Sequence, residues 1–187
     1  MSLKDELSRV TRTPSDVESE KEHTKQLKMK EAERQKQLTI TNDAKLFYER
    51  LVENIKENAS NGIYDSCGKT RTACGETWVG NDKIKYIQVY ESTQEGHGVF
   101  RGIHEKRHNW ELSVTNEGKL VYEAISSMAA KEGIDCELLI MCRRSSIGYG
   151  GKNIHTTSYY KPRTKVRGEW NEWQPYFTMC VRGKISY

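Results

Sequence analysis

The chain has 187 residues, of which 35% are hydrophobic and 30% charged, with 30 basic and 26 acidic side chains. This length suits one domain, or one domain with an appendage. No stretch approaches the ~18 consecutive apolar residues of a membrane span, and the N-terminal segment MSLKDELSRV is acidic where a secretory signal would be apolar. We therefore expect a cytoplasmic protein, or a nuclear one in a eukaryote, with no membrane partner.

The positive charge is concentrated in the C-terminal quarter. Residues 137–187 contain nine basic and three acidic side chains, whereas residues 1–60 are balanced and residues 61–136 carry a net charge of −2. Between Arg143 and Gly168 there are seven positive charges and no carboxylate. A segment with one sign of charge over this length favours a polyanionic partner.

Residues 1–40 are predicted to form a charged helical arm or a frayed extension. They contain too few apolar side chains to bury a core of their own. Ser15 and Glu18 have the spacing of a helix-capping pair, and strong helix formers with alternating charge follow. The apolar residues fit no heptad, so no coiled-coil partner is predicted; they fall at positions 17, 27, 29, 32 and 38.

Residues 43–187 are predicted to form a single α+β domain with a basic C-terminal part over 143–187. Thr39–Asp43 should end the arm and cap a new amphipathic helix, which Asn61-Gly62 would close. The apolar side chains of this helix recur at spacings of three and four; they are Ala44, Phe47, Leu51, Ile55 and Ala59.

The remaining sequence predicts several strands and one further helix. Asn116-Glu117-Gly118 is predicted as a turn, and 119–132 as a second core helix that Gly133 ends. Strands are predicted from alternation or β-branched residues over 84–90, 98–103, 110–114, 136–142, 154–160 and 177–181. Because helices and strands do not alternate regularly, we expect a mainly antiparallel sheet packed by two amphipathic helices.

The five cysteines predict free thiols rather than a metal site. They are Cys67, Cys74, Cys136, Cys142 and Cys180. The paired spacings leave six and five intervening residues, wider than the two to four of structural zinc knuckles. Cys136 and Cys142 share one face of an apolar strand, where cysteine packs as a small hydrophobe. For Cys67 and Cys74, a metal or disulfide pairing stays an alternative. No cofactor, metal ligand or catalytic residue is predicted.

Three histidines provide a weaker alternative. His97, His104 and His108 lie near several arginines and glutamates, a composition that could serve acid–base chemistry in a phosphodiesterase-type enzyme. On a strand, however, His104 and His108 would be about 13 Å apart, too far to share a metal. A solvated polar hairpin is the simpler interpretation.

The basic C-terminal segment carries the leading functional hypothesis, a non-enzymatic protein that binds single-stranded nucleic acid or RNA. Cations suit phosphates and aromatic faces suit unpaired bases. A strand over 159–167 would place four of the cations on one face. The predicted binding residues are Arg143, Arg144, Tyr149, Lys152, Tyr159, Lys161, Arg163, Lys165 and Arg167.

Two other interpretations of the same segment stay open. The charges could protect the outer face of an edge strand without binding anything. They could also dock on an acidic protein surface, which would make the protein a regulator or inhibitor of a protein partner. Trp170 and Trp173 follow the segment and would either extend its surface or close the core.

Overall fold

The computed structural model describes residues 14–65, 72–80, 85–97, 104–147, 153–167 and 175–186. These residues form two helices and eight strands, and they confirm the α+β class. The elements in chain order are α1 (Pro14–Ser60), β1 (Tyr64–Asp65), β2 (Thr72–Val79), β3 (Ile87–His97), β4 (His104–Val114), α2 (Asn116–Ala130), β5 (Asp135–Ile147), β6 (Asn153–Tyr160), β7 (Lys165–Arg167) and β8 (Tyr176–Ser186). The strand predicted over 98–103 lies outside the described residues.

The strands form two antiparallel sheets instead of the single sheet expected from the sequence. The larger sheet has the order β1-β2-β8-β5-β6, and the smaller has the order β3-β4-β7. Every strand pair is antiparallel, as expected. The strand predicted over 136–142 is the central part of β5, which lies between β8 and β6.

Helix α1 runs without interruption through Thr39–Asp43, so the predicted break there is wrong. The segment contains no proline or glycine, and β-branched residues lower helix propensity without ending a helix. The Thr39 hydroxyl donates to the Gln35 carbonyl at 2.9 Å within the helix. The Asp43 carboxylate accepts a hydrogen bond from the Tyr86 hydroxyl instead of capping a new helix.

The chain divides into two compact units, residues 1–39 and residues 40–187. In the first unit, the side chains described over 17–38 are all exposed, as the prediction of a charged helical arm implies. In the second, Ile40 is the first buried residue, three positions before the predicted start of the core.

The C-terminal part of α1 packs against the inner face of the larger sheet. Its buried stripe comprises Ile40, Ala44, Phe47, Leu51 and Ile55. Close approach is possible because Gly75 of β2 and Gly183 of β8 are opposite each other in the sheet and present no side chain to the helix. Asn54 and Asn58 donate from the helix to the carbonyls of Glu76 and Cys74, at 2.6 and 2.8 Å. These bonds protect the backbone of β2 where β1 no longer covers it.

Helix α2 begins at Asn116, so the predicted turn over Asn116-Glu117-Gly118 is instead its first helical turn. The Thr115 hydroxyl caps the helix by accepting from the Gly118 amide at 3.1 Å. Gly118 is needed for packing rather than for a turn, because a side chain there would collide with the Tyr86 carbonyl.

The smaller sheet shares the core of the larger one. Trp110, Leu112 and Val114 of β4 are buried and alternate with more exposed residues, which confirms the predicted pattern. The Trp110 ring lies 5.9 Å from the ring of Phe177 on β8. A single hydrophobic cluster therefore connects both sheets with α1 and α2.

Candidate nucleic-acid interface on the outer face of the larger sheet

The outer face of the larger sheet, turned away from α1, carries an unusual mixture of aromatic, basic and buried residues. Strand registers place Trp78 beside Cys180, Met141 between Thr178 and Tyr159, and Arg143 between Tyr176 and Thr157. Cys180 and Leu139 are 0% and 4% exposed on this face, although both helices contribute their buried stripes to the opposite side. Among the described residues, neighbouring side chains of the sheet contribute to their cover.

A hydrogen-bonded network of Glu76, Arg182 and Tyr159 provides part of this cover. The Nε and Nη2 atoms of Arg182 donate to Glu76 Oε1 at 2.8 and 2.6 Å. The Tyr159 hydroxyl donates to Glu76 Oε2 at 2.6 Å, and the Arg182 guanidinium lies 4.8 Å above the Tyr159 ring. Three strands, β2, β8 and β6, are thus joined by one charge-assisted cluster.

The network also sets the chemistry of the residues beneath it. Burial, with a smaller contribution from Glu76, raises the pKa of the Cys180 thiol to about 12. Cys180 is therefore a packing residue and not a nucleophile. Burial and the bond to Glu76 likewise raise the pKa of Tyr159, so this hydroxyl stays protonated.

Beside the network lies a groove of about 580 Å³, lined mainly by outer-face residues and also by Gly80 after the end of β2 and by Phe47 and Arg50 of α1. Two exposed aromatic rings line it, Trp78 at 57% and Tyr176 at 63% exposure. The other lining residues are Phe47, Arg50, Gly80, Met141, Arg143, His155, Thr157, Tyr159 and Thr178. We call this feature the outer groove.

The charge of the outer groove has one sign. Arg50 and Arg143 are exposed cations, and none of the described residues that line the groove is a carboxylate. The His155 ring is exposed and shares a 2.9 Å hydrogen bond with the hydroxyl of Ser145, its neighbour across β5 and β6. Trp78 and Tyr176 are separated by about four residues along the strand direction, or roughly 13 Å. Two exposed aromatic rings and two cations that line one groove can hold a planar, anionic ligand longer than one ring.

The structure brings only part of the predicted binding site together at this groove. Arg143 and Tyr159 line it. Arg144 points to the opposite face of β5, where it is partly buried and its Nη2 atom lies 3.2 Å from the Tyr160 hydroxyl. Tyr149 and Lys152 lie outside the described residues.

The predicted strand over 159–167 is wrong, and so is its stripe of four cations on one face. Strand β6 ends at Tyr160 and β7 begins at Lys165 in the other sheet. Between them the Thr164 amide donates to the Lys161 carbonyl at 3.2 Å, which closes a turn. Pro162 favours such a turn because it fixes its own backbone and has no amide hydrogen to donate. Arg163 takes a positive φ of 70°, a turn conformation rather than an extended one.

Lys165 and Arg167 share a face, but on the smaller sheet. Both are exposed on either side of the buried Val166. They line a separate hollow of about 290 Å³ that also contains Glu111, which lies directly opposite Lys165 in the strand register. The facing carboxylate makes this second basic surface a weaker anion site than the outer groove.

The histidines of the enzymatic alternative lie on the smaller sheet. The backbones of His97 and His104 are opposite each other in β3 and β4. The His108 ring lies 2.5 Å from Glu91 Oε1 and stacks on Trp110 with ring centres 6.0 Å apart. In the described part of the chain, no group of three or more His, Cys, Asp or Glu side chains is arranged to hold a metal ion.

The cysteines that the structure describes are free thiols; they are Cys74, Cys136, Cys142 and Cys180. Cys136 and Cys142 lie on the same, inner face of β5, as the sequence predicted. Cys67 lies outside the described residues, as do Trp170 and Trp173.

Sequence reasoning missed Trp78, Tyr176, His155 and Arg50 as members of one site. A usable signal existed in β2, where Cys74, Glu76 and Trp78 alternate with the buried residues of the inner face. A tryptophan in the polar register of an amphipathic strand is exposed by the period of two. Nothing in the local sequence indicates that Arg50 of α1 reaches the same groove.

Comparison with protein-family models, curated proteins and solved structures finds no match for this chain. Neither helix contains, within the described residues, an apolar stretch long enough to cross a membrane. Any functional conclusion therefore depends on the geometry of the outer groove.

Proposed function

We propose that this protein binds single-stranded nucleic acid, RNA or DNA, in the outer groove. The observation that carries the proposal is the combination of exposed Trp78 and Tyr176 rings with Arg50 and Arg143 in a groove without a described carboxylate. Unpaired bases offer free π-faces to aromatic side chains, and arginines neutralise the phosphates between them. Paired bases in a duplex do not offer such faces.

The rings have different roles in this proposal. Trp78 and Tyr176 are the stacking platforms, because more than half of each side chain is exposed. One face of Tyr159 is occupied by the Arg182 guanidinium, and its hydroxyl is held by Glu76. Tyr159 therefore forms the rigid wall of the groove and keeps its shape in the absence of ligand. A groove formed in advance loses less conformational entropy on binding.

The test is a titration of labelled single-stranded RNA, single-stranded DNA and duplex by fluorescence anisotropy, at 50 and 200 mM salt. Trp78→Ala and Tyr176→Ala should each weaken single-strand binding by about 5- to 150-fold, because a stacked base contributes roughly 1–3 kcal/mol. Neutralising two phosphates predicts a log–log salt slope of about −1.4. Arg50→Ala/Arg143→Ala should flatten that slope.

Matched controls come from the smaller sheet. Tyr90 is a comparably exposed aromatic residue on its outer face, and Lys165 and Arg167 are a comparably exposed pair of cations. Tyr90→Ala and Lys165→Ala/Arg167→Ala should leave binding within about threefold of wild type. If the controls abolish binding and Trp78→Ala does not, the site lies on the smaller sheet. If no oligonucleotide binds at 50 mM salt, the proposal is wrong, and docking on an acidic protein becomes the hypothesis to test.

A further inference from the structure

On one face of the arm, two pairs of side chains with opposite chemistry are placed symmetrically about Leu27. Glu20 and Arg34 lie seven positions to either side of it, and His23 and Glu31 lie four positions to either side. All five side chains are exposed on helix α1. Glu20 thus has a counterpart of opposite charge at the same distance from Leu27, and His23 has a carboxylate, whereas Lys30 has the neutral Thr24.

These five residues also share one face. An α-helix turns by about 100° per residue, so steps of seven and four residues bring a side chain back to within about 40° of Leu27. At about 1.5 Å per residue, Glu20 and Arg34 lie roughly 10 Å above and below Leu27. The pattern therefore has the geometry of a self-complementary surface, in which a two-fold axis through Leu27 exchanges the two charges.

We propose that the arm pairs with the arm of a second copy of this chain in an antiparallel arrangement, with the two Leu27 side chains meeting at the two-fold axis. Glu20 of one copy then faces Arg34 of the other, and His23 faces Glu31. Symmetry repeats each contact, which gives two Glu20–Arg34 ion pairs and two His23–Glu31 contacts around a small apolar centre. This interface does not need the heptad that the arm lacks, because charge rather than a hydrophobic seam sets its register.

A parallel arrangement of the two arms is disfavoured by the same residues. In register it would place Glu20 against Glu20, Glu31 against Glu31 and Arg34 against Arg34, and like charges at such positions repel. The helix dipole does not explain the pattern either. Its effect is confined to the terminal turns, and Arg34 lies 26 residues before the end of α1 at Ser60.

A charge-swap cycle in the full-length chain tests this arrangement by sedimentation equilibrium. Wild type should self-associate at 50 mM salt and dissociate as salt is raised, because exposed ion pairs are screened. Glu20→Arg and Arg34→Glu should each weaken association by about tenfold or more, since each turns two attractive contacts into repulsive ones. The double variant Glu20→Arg/Arg34→Glu should return to within about threefold of wild type, since it restores opposite charges across the axis. A monomer under all conditions, or a double variant as weak as the single variants, would overturn the proposal.

Disulfide trapping in the full-length chain supplies an independent readout of the register. Leu27→Cys should form a disulfide-linked dimer under mild oxidation, because the two thiols would meet at the axis. Met29 is a matched control: it is at least as exposed as Leu27, and two residues turn it about 200° away from Leu27. Met29→Cys should form no more dimer than wild type, whose own cysteines set the baseline. Equal trapping by both variants, or by neither, would contradict the proposed axis.

Discussion

Gly75 shows how one residue determines the distance between a helix and a sheet. A β-carbon added there would lie 2.7 Å from the backbone nitrogen of Ile55 and 2.8 Å from its Cγ1 atom. Helix α1 cannot move away from Gly75 without breaking the hydrogen bonds that Asn54 and Asn58 donate to the backbone carbonyls of β2. The position therefore tolerates no side chain without a shift of backbone.

Replacing Gly75 by alanine should consequently destabilise the fold by about 1–3 kcal/mol, the usual range for overpacking a closely packed site. Urea denaturation followed by circular dichroism measures this change. Gly80 is the matched control, since a β-carbon there would meet nothing within 4 Å. Gly80→Ala should change the free energy of unfolding by less than about 0.5 kcal/mol. Equal stabilities of the two variants would show that α1 does not approach β2 so closely.

The buried thiol of Cys180 should make the stability of the fold depend on pH. Burial raises the pKa of its thiol from the ordinary 9.0 to about 12, so the folded protein keeps a proton that the unfolded chain loses in this range. The resulting stabilisation is complete below pH 9 and is lost as pH rises from 9 to 12. The melting temperature of wild type should therefore fall between pH 8 and pH 10 by more than that of Cys180→Ala. Equal falls in the two proteins would contradict this account of the Cys180 thiol.

Among the secondary-structure elements, those with an unambiguous hydrophobic period were predictable from the sequence. The stripe of Ala44, Phe47, Leu51 and Ile55 and the alternation of Trp110, Leu112 and Val114 both recur as buried faces. The continuity of α1 was not predictable in this way. Thr39–Asp43 has the composition of a cap, and only the tertiary contacts of Ile40 and Asp43 favour helix there.

The candidate site was less predictable than the fold, because it depends on which strands become neighbours. The period of two placed the side chains along a strand correctly, as it does for Lys165 and Arg167 in β7. It could not show that Pro162 and Arg163 form a turn that moves these cations to another sheet. Nor could it bring Trp78 beside β8, a pairing with about a hundred residues between its two strands.

At the scale of the whole molecule, the net charge of the C-terminal quarter is divided among several surfaces. Arg143 lies in the outer groove, Lys165 and Arg167 lie on the smaller sheet, and Arg182 is neutralised by Glu76. Cations outside the groove can still attract a polyanion at long range and raise its rate of association, without adding to specificity. We therefore expect the variants of the smaller sheet to slow binding at low salt rather than to abolish it.

Removal of the arm should separate self-association, proposed for the first unit, from nucleic-acid binding, proposed for the second. A truncated chain beginning at Thr39 loses only exposed side chains of the described arm and keeps the buried stripe from Ile40 onward. Its cooperative melting temperature should stay within about 4 °C of full length, equivalent to roughly 1 kcal/mol for a chain of this size. Its affinity for a short oligonucleotide, which fills one groove, should be unchanged within about twofold.

Self-association should be lost in the same truncated chain, because the residues that pair across the Leu27 axis are gone. An oligonucleotide that binds both copies of a dimer at once should bind full-length protein more tightly than a short one does, and the truncated chain should lose this gain. Sedimentation equilibrium and anisotropy with short and long oligonucleotides measure the two properties separately. If the truncated chain precipitates or melts without cooperativity, the arm contributes to the core. If it still forms dimers, the interface between copies lies within residues 40–187 and not on the arm.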